Sequence, residues 1–417
     1  MEDAIVVVRE FDETRDKESV ERVECSCEVG PSGQVSIFTN LHGDPICRVR
    51  HSPAYLMLVL HLFPPLFFLR GTSSWVSTKV AEIGEEIVGM IRGCIKTITC
   101  GQKVGRNTKN NNKPVPILTT VAYILGLRVS PLYRRFGIGL KLVHRMEDWF
   151  RCNGAEYAYM ATENDNYPSV RLFTEKCGYS KFRTPSILVN PVYAHSIAIS
   201  KKISVLRISP WEAECIYRRR FCTTEFFPSD IDVVLNNKLN LGTIIAVPHA
   251  YGRWPGAEDF LASPPESWSM MSIWNCKDVY TLEVRGVSWL KRSIAKTTRA
   301  VDHAFQFLGL PSVPELFKPF GLLFMYGLVG EGVRALEMVR ALCVNAHNVA
   351  RERSCAVVAT EVSSCDPLRV AIPHWQMLSC AEDLWCVKRL GDYSGGLIGD
   401  WTKSPPGLSI FVDPREF

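Results

Sequence analysis

The sequence predicts an α/β fold with mixed sheets, laid out as two similar units in tandem, the second of them degenerate. An apolar run at residues 123–129 leads through a glycine loop, Arg134-Arg135-Phe136-Gly137-Ile138-Gly139, into an amphipathic stretch at 140–151. A second apolar run, 324–329, leads through Gly330-Glu331-Gly332 into an amphipathic stretch at 333–350. Each is followed by a strand-like run ending in the same triplet, Ala161-Thr162-Glu163 and then Ala359-Thr360-Glu361. A strand, turn, helix and strand repeated in this order indicate a duplicated plan. The units are expected over residues 1–192 and 193–417, joined through Asn190-Pro191-Val192-Tyr193-Ala194-His195.

Each element follows from local pattern. Ile5-Val6-Val7-Val8-Arg9 reads as a first strand, and 13–27 as a charged helix. Residues 54–59, 87–95 and 123–129 read as the second, third and fourth strands. Leu142, Val143, Met146, Trp149 and Phe150 recur at helical spacing, which marks the face that packs on a sheet. Residues 155–161 read as a fifth strand, Asn166 opens the next helix, and the chain returns to strand from Tyr179. In the second half, 203–207, 242–247, 268–274, 279–284 and 355–361 read as strands and 211–221 as a helix. Residues 60–80, with Pro64-Pro65 and Phe67-Phe68, interrupt the join between strands two and three and are expected to be an atypical insert.

Composition narrows the class. With 417 residues, 47% hydrophobic and 22% charged, the chain is a globular protein of two or three domains. A net charge of +5 and only short basic clusters, Arg218-Arg219-Arg220 and the polar loop of Lys103, Arg106, Lys109 and Lys113, argue against sequence-specific nucleic-acid binding. The 15 cysteines form no C-x-x-C pair, which removes the usual thiolate zinc spacing. No metal site is expected, and the thiols are read as reduced, in nucleus or cytosol. The greasy run 54–69 is shorter than the ~20 apolar residues of a spanning helix and is broken at Pro64-Pro65, so no membrane segment is expected.

The glycine loop carries the chemistry. A helix start leaves backbone N–H groups unpaired, and the helix dipole favours negative charge there. Small residues let a pyrophosphate approach those groups closely. The bland alternative is an ordinary strand–helix turn. A Walker loop would need Gly-Lys-Ser/Thr where the chain reads Gly139-Leu140-Lys141, and a dinucleotide fingerprint would need a glycine at Leu142. The loop fits Arg/Gln-x-x-Gly-x-Gly/Ala. Downstream, Asn166-Tyr167-Pro168-Ser169 leads to Leu172-Phe173 and then to Lys176-Cys177-Gly178-Tyr179.

Both motifs, in this order and spacing, resemble those of the GNAT superfamily of N-acetyltransferases. Longer stretches, among them Val88-Gly89-Met90-Ile91-Arg92-Gly93 and Asp400-Trp401-Thr402-Lys403-Ser404-Pro405, resemble the plant hookless-type members over nearly the whole chain. The resemblance implies acetyl-CoA as co-substrate. Its pyrophosphate would lie on Arg134, Arg135, Phe136, Gly137, Ile138, Gly139 and Leu140, and its pantetheine arm along Leu127, Arg128 and Val129, with Asn166 and Ser169 beside it. It further implies a nuclear (or also cytoplasmic) protein linked to plant hormone responses, with histones as suspected protein acceptors.

The acid and base are weakly marked. Many relatives place a tyrosine acid where this chain has Phe173, and histone-type relatives place a glutamate base where it has Tyr123. Tyr123, Tyr167 and Tyr179 are candidate replacements, and Glu163, at a strand end by the cleft, is a candidate base; each also has a plain packing or surface reading. In the second unit, Glu331 would repel a pyrophosphate, and no Asn-x-x-Ser/Ala follows Glu361. Two functions stay open: an acetyl-CoA-dependent N-acetyltransferase, or a non-catalytic acetyl-CoA-binding regulator.

Overall fold

The computed structural model describes residues 5–29, 36–41, 44–63, 86–103, 115–391 and 401–417. Strands of the first half are β1 Ile5–Glu10, β2 Glu28–Val29, β3 Ser36–Leu41, β4 Ala54–Phe63, β5 Glu86–Lys103, β6 Val115–Val129, β7 Tyr157–Glu163, β8 Ser180–Arg183 and β9 Ser186–Pro191. Those of the second are β10 Ile203–Ile208, β11 Asn240–Pro248, β12 Trp268–Asn275, β13 Tyr280–Arg285, β14 Leu322–Glu331, β15 Val357–Val362 and β16 Asp383–Arg389. The longer helices are α1 Glu13–Ser26, α2 Ile138–Cys152, α3 Pro210–Phe221, α4 Trp289–Ala304 and α5 Ala335–Glu352.

Two large mixed sheets form, ordered β1-β4-β5-β6-β7-β16-β8 and β10-β11-β12-β14-β15-β9. Their first five strands correspond one to one. In each, the fourth and fifth run parallel, β6 with β7 and β14 with β15. The sixth strand is exchanged. β9, from the first half, pairs with β15 in the second sheet, and β16, from the second half, pairs with β7 in the first. Residues 192 and 193 therefore separate the chain in sequence, while each sheet holds one strand from the far side of that point.

Alternation explains how the layers stack. Leu142, Val143, Met146 and Phe150 of α2 are fully buried on the outer face of the first sheet. Met338, Val339, Leu342 and Ala346 of α5 cover the outer face of the second. The inner faces meet in one core, where Tyr123, Tyr159 and Trp385 of the first sheet join Phe324 and Ala359 of the second. The segment 410–417 threads this core: Phe411 is buried, and the Phe417 ring stacks on Phe324 at 4.0 Å.

The inner core also holds charge. Lys96 pairs with Glu416 at 2.8 Å and with Asp413 at 3.3 Å, and Arg415 pairs with Asp413 at 2.7 Å and Asp230 at 2.6 Å. The Tyr159 hydroxyl donates to Glu416 at 2.6 Å. Buried charges are tolerated when paired in this way.

Three expectations need correction. The strand starting at Ala54 runs through Phe63, so the first four residues of the expected insert are sheet: Leu60 pairs with Val8 and Gly89. The rest of the insert, from 64 on, lies outside the described residues, as do Arg106, Lys109 and Lys113. β13 does not extend the second sheet; it pairs with β3 in a separate three-stranded sheet. Finally, the two Ala-Thr-Glu triplets are not equivalent in space. Ile124 pairs with Met160, and Met325 with Thr360, so Glu361 matches Ala161 rather than Glu163.

Candidate active site

Strands β6 and β7 pair only from Val121/Tyr157 to Ile124/Met160. β6 then continues to Val129 and β7 to Glu163 with no pairing between them, so the sheet splays open at this point. A β-bulge starts the divergence. Arg92 faces Leu125 but Met90 faces Arg128, which inserts one extra residue into β6. Gly126 supplies it, at φ +67°, and a Cβ there would lie 2.8 Å from Arg92 Nη1. Arg92 is buried in an ion pair with Glu24 of α1. The second sheet repeats the device at Gly327, φ +64°, against the Tyr217 ring.

The splayed edge carries Leu127, Arg128 and Val129. The Val129 carbonyl accepts from Arg134 Nε at 3.3 Å, and the Leu127 carbonyl from Arg128 Nη1 at 3.2 Å. Pro131–Tyr133 makes a 3-10 turn, and Arg134, Arg135, Phe136 and Gly137 are exposed. Arg135 (φ +70°) and Gly137 (φ +75°) both take left-handed backbone. Gly137 is the N-cap of α2 and gives it no side-chain cap, so the N–H groups of the first helical turn face outward. The space beside Gly137 is open: a Cβ there meets nothing within 4 Å.

The second motif sits against the first. Asn166 caps the short helix Tyr167–Arg171, its side chain accepting from the Ser169 N–H at 3.4 Å. The helix widens into a π-turn, Leu172–Lys176, and a Cβ on Gly139 would meet Leu172 at 3.2 Å. The first and second motifs thus touch through Gly139 and Leu172. Phe173 is buried, with Tyr179 edge-on at 5.2 Å. The Tyr179 hydroxyl lies by Glu147, midway along α2, and burial raises its pKa well above the usual phenol value. This location, on the helix side of the sheet, gives Tyr179 a packing role apart from the splay. Tyr167 is largely exposed.

The inner face is where acid–base groups gather. Tyr123 is next to the last paired position of β6, and its ring lies 4.7 Å from that of Tyr159. Burial holds its pKa well above the ordinary phenol value, and Glu416, Asp383 and Glu361 add to this. Glu163 ends β7 on the same face by alternation with Tyr159 and Ala161. Burial, then Asp165 and Asp383, raises it to about 7. Asp383 stands directly across from Glu163 in β16. Trp385 Nε1 donates to Glu361 Oε1 at 2.8 Å and to Asp383 Oδ2 at 3.2 Å. Burial raises Asp383 to about 6 and lifts Glu361 well above the carboxylate range, with Asp383 beside it. Sequence reasoning missed Asp383 and the site role of Glu361, because only strand exchange brings them to the splay.

Comparison with known proteins fits this geometry. Residues 47–179 match the acetyltransferase (GNAT) family. The chain is 62% identical to a protein of Arabidopsis thaliana named "Probable N-acetyltransferase HLS1", over 99% of this chain and 100% of that one. It belongs to the GNAT family, among the hookless-type N-acetyltransferases. A rice protein named "Acetyl transferase GW6a" (Oryza sativa subsp. japonica) is 36% identical over 99% of this chain and 98% of its own. In fold, the chain is similar to Saccharomyces cerevisiae N-myristoyltransferase, with a TM-score of 0.51 at 8% identity, covering 92% of this chain and 79% of that one.

GNAT enzymes are acyltransferases that take acetyl from acetyl-CoA. Among the described residues, no helix is long and apolar enough to cross a membrane. The second GNAT-like unit departs at its loop. Glu331 pairs with Arg220 at 2.5 Å, and the Arg334 N–H at the head of α5 donates to Ser267 Oγ at 3.1 Å. Groups that lie open in the first unit are taken in the second.

Proposed function

We propose that this chain transfers the acetyl group of acetyl-CoA to a primary amine of a protein, through the first unit alone. The carrying observation is the β6/β7 splay that ends at an uncapped, exposed helix start flanked by Arg134 and Arg135. The residues fit the co-substrate. Backbone N–H groups of residues 136–140 and the two guanidiniums would hold the diphosphate. The edge of Leu127, Arg128 and Val129 would take the pantetheine arm as an added strand, with Asn166 and Ser169 alongside. Glu163, raised to about 7, suits a base that takes the proton of the incoming ammonium. Tyr123, kept protonated, suits the acid that protonates the departing thiolate. The second unit, its loop occupied by its own side chains, buttresses the first. Histone lysines as acceptors, a nuclear location and a role in hormone-linked growth go with this reading through the hookless-type resemblance.

Phe173, buried where relatives place a tyrosine acid, favours a second reading, a regulator that binds acetyl-CoA without turnover. Calorimetry with acetyl-CoA separates site from non-site. Gly137→Glu adds a carboxylate at the helix head and should abolish binding, whereas Gly137→Asn should retain it, because the position is open and asparagine tolerates left-handed backbone. Unchanged affinity in Gly137→Glu would place the site elsewhere. Thioester consumption with lysine peptides then decides between enzyme and regulator.

A further inference from the structure

The inner core contains two groups of buried acids with opposite provisions. Asp413 and Glu416 have Lys96 and Arg415 as partners. Glu163, Asp383 and Glu361 make no ion pair with any Lys, Arg or His among the described residues, and every charged neighbour that shifts them is another carboxylate. Asp383 and Glu361 are 5% and 9% exposed. Three carboxyls at one end of a core, with no counter-charge, would be costly unless something cationic arrives.

A second observation concerns Tyr123. It is 7% exposed and its hydroxyl has no hydrogen-bond partner among the described residues, although Asp383 and Glu361 lie close enough to act on it. A buried phenol left unpaired beside unpaired acids is a set of groups shaped for a guest. The trio is not arranged as a metal cage: among the described residues, no group of three or more His, Cys, Asp or Glu has the spacing to hold an ion. Access is provided by an open cleft of about 400 Å³ lined by Arg183, Pro185, Glu225, Ser363 and Ser364. Pro185 accepts from the Asp383 N–H at 2.9 Å, and Ser363 is two residues beyond Glu361, so the cleft opens beside the trio.

We infer that Glu163, Asp383, Glu361 and the Tyr123 hydroxyl form the acceptor subsite, and that it selects a protonated primary amine, the lysine ammonium, over neutral acceptors. This rests on the acetyltransferase reading above and gives it a substrate class. Both halves of the chain build the subsite. Glu361 and Asp383 come from the second half, one across the core on β15 and one on the exchanged strand β16. The second unit therefore contributes to acceptor selection without holding co-substrate.

The test is calorimetry with two short peptides that differ only in one residue, lysine or Nε-acetyllysine, with and without saturating CoA. Wild-type protein should bind the lysine peptide about ten-fold or more tightly than the acetyllysine peptide. Asp383→Asn and Glu361→Gln should each remove most of that preference while leaving CoA affinity unchanged. Equal binding of the two peptides by wild type, or an undiminished preference in both variants, overturns the proposal. If CoA does not bind wild type, the acetyltransferase reading fails, and the peptide pair without CoA still decides the charge selection. Retained CoA affinity in the variants shows that they fold; should one fail to fold, the other and the wild-type comparison decide.

Discussion

Replacing Gly126 by alanine tests whether the bulge that opens the cleft is held by a buried ion pair. The residue sits at φ +67°, a left-handed conformation that costs an alanine about 1–2 kcal/mol. Its new methyl would lie 2.8 Å from Arg92 Nη1, below van der Waals contact. The guanidinium must then shift off Glu24, and both side chains are buried, at 1% and 2% exposure. Complete loss of a buried pair costs about 3–5 kcal/mol, which is the upper bound for the shift. Together these give an expected destabilisation of about 2–5 kcal/mol. Urea unfolding followed by tryptophan fluorescence reads it as a lower midpoint at unchanged slope. Acetyl-CoA affinity should fall as well, since the bulge aims residues 127–129 along the cleft. Gly327→Ala is the internal control. It has φ +64° and a Cβ 2.7 Å from the Tyr217 ring, so it should destabilise similarly and leave acetyl-CoA affinity intact. A Gly126→Ala protein within about 0.5 kcal/mol of wild type, or equal loss of affinity in both variants, would refute the reasoning.

Other outcomes follow from the charged groups. Acetyl transfer should rise with pH through about 7 as Glu163 loses its proton, and Glu163→Gln should lower the rate and flatten that limb in a kcat/KM profile. Lys96→Met leaves Asp413 and Glu416 short of a buried cation and should cost about 3–5 kcal/mol in urea unfolding. The effect should shrink in acid as the freed carboxyls protonate. Asp383 has a folded value of about 6 against an ordinary 3.8, so the folded state binds its proton more tightly and loses stability as pH rises between these values. Asp383→Asn should therefore melt higher than wild type at pH 8, with the gain gone below about pH 4; a lower melting point at pH 8 would contradict the uncompensated charge.

Much of the first unit was legible because its signals are local. The run 123–129, the loop 134–139 and the apolar stripe of α2 lie within thirty or so residues of each other, and strand, turn and helix propensity act at that range. Asn166 as a cap and Gly178 as a left-handed helix end follow from side-chain chemistry alone. Tyr179 was legible as a residue of the motif but not as to its side of the sheet. Its phenol turns to Glu147 and the helix, while Tyr123, on the opposite face, turns to the acids.

The amino-acid sequence alone determined the fold class, the tandem plan and the open, uncapped helix start, since each is written in neighbouring residues. Only the tertiary structure decided that β9 and β16 change sheets, that segment 410–417 fills the core, and that Asp383 and Glu361 meet Tyr123 and Glu163 at one cleft. Strand partners and register are set by burial and hydrogen bonding between segments more than a hundred residues apart, and no short-range pattern carries that choice.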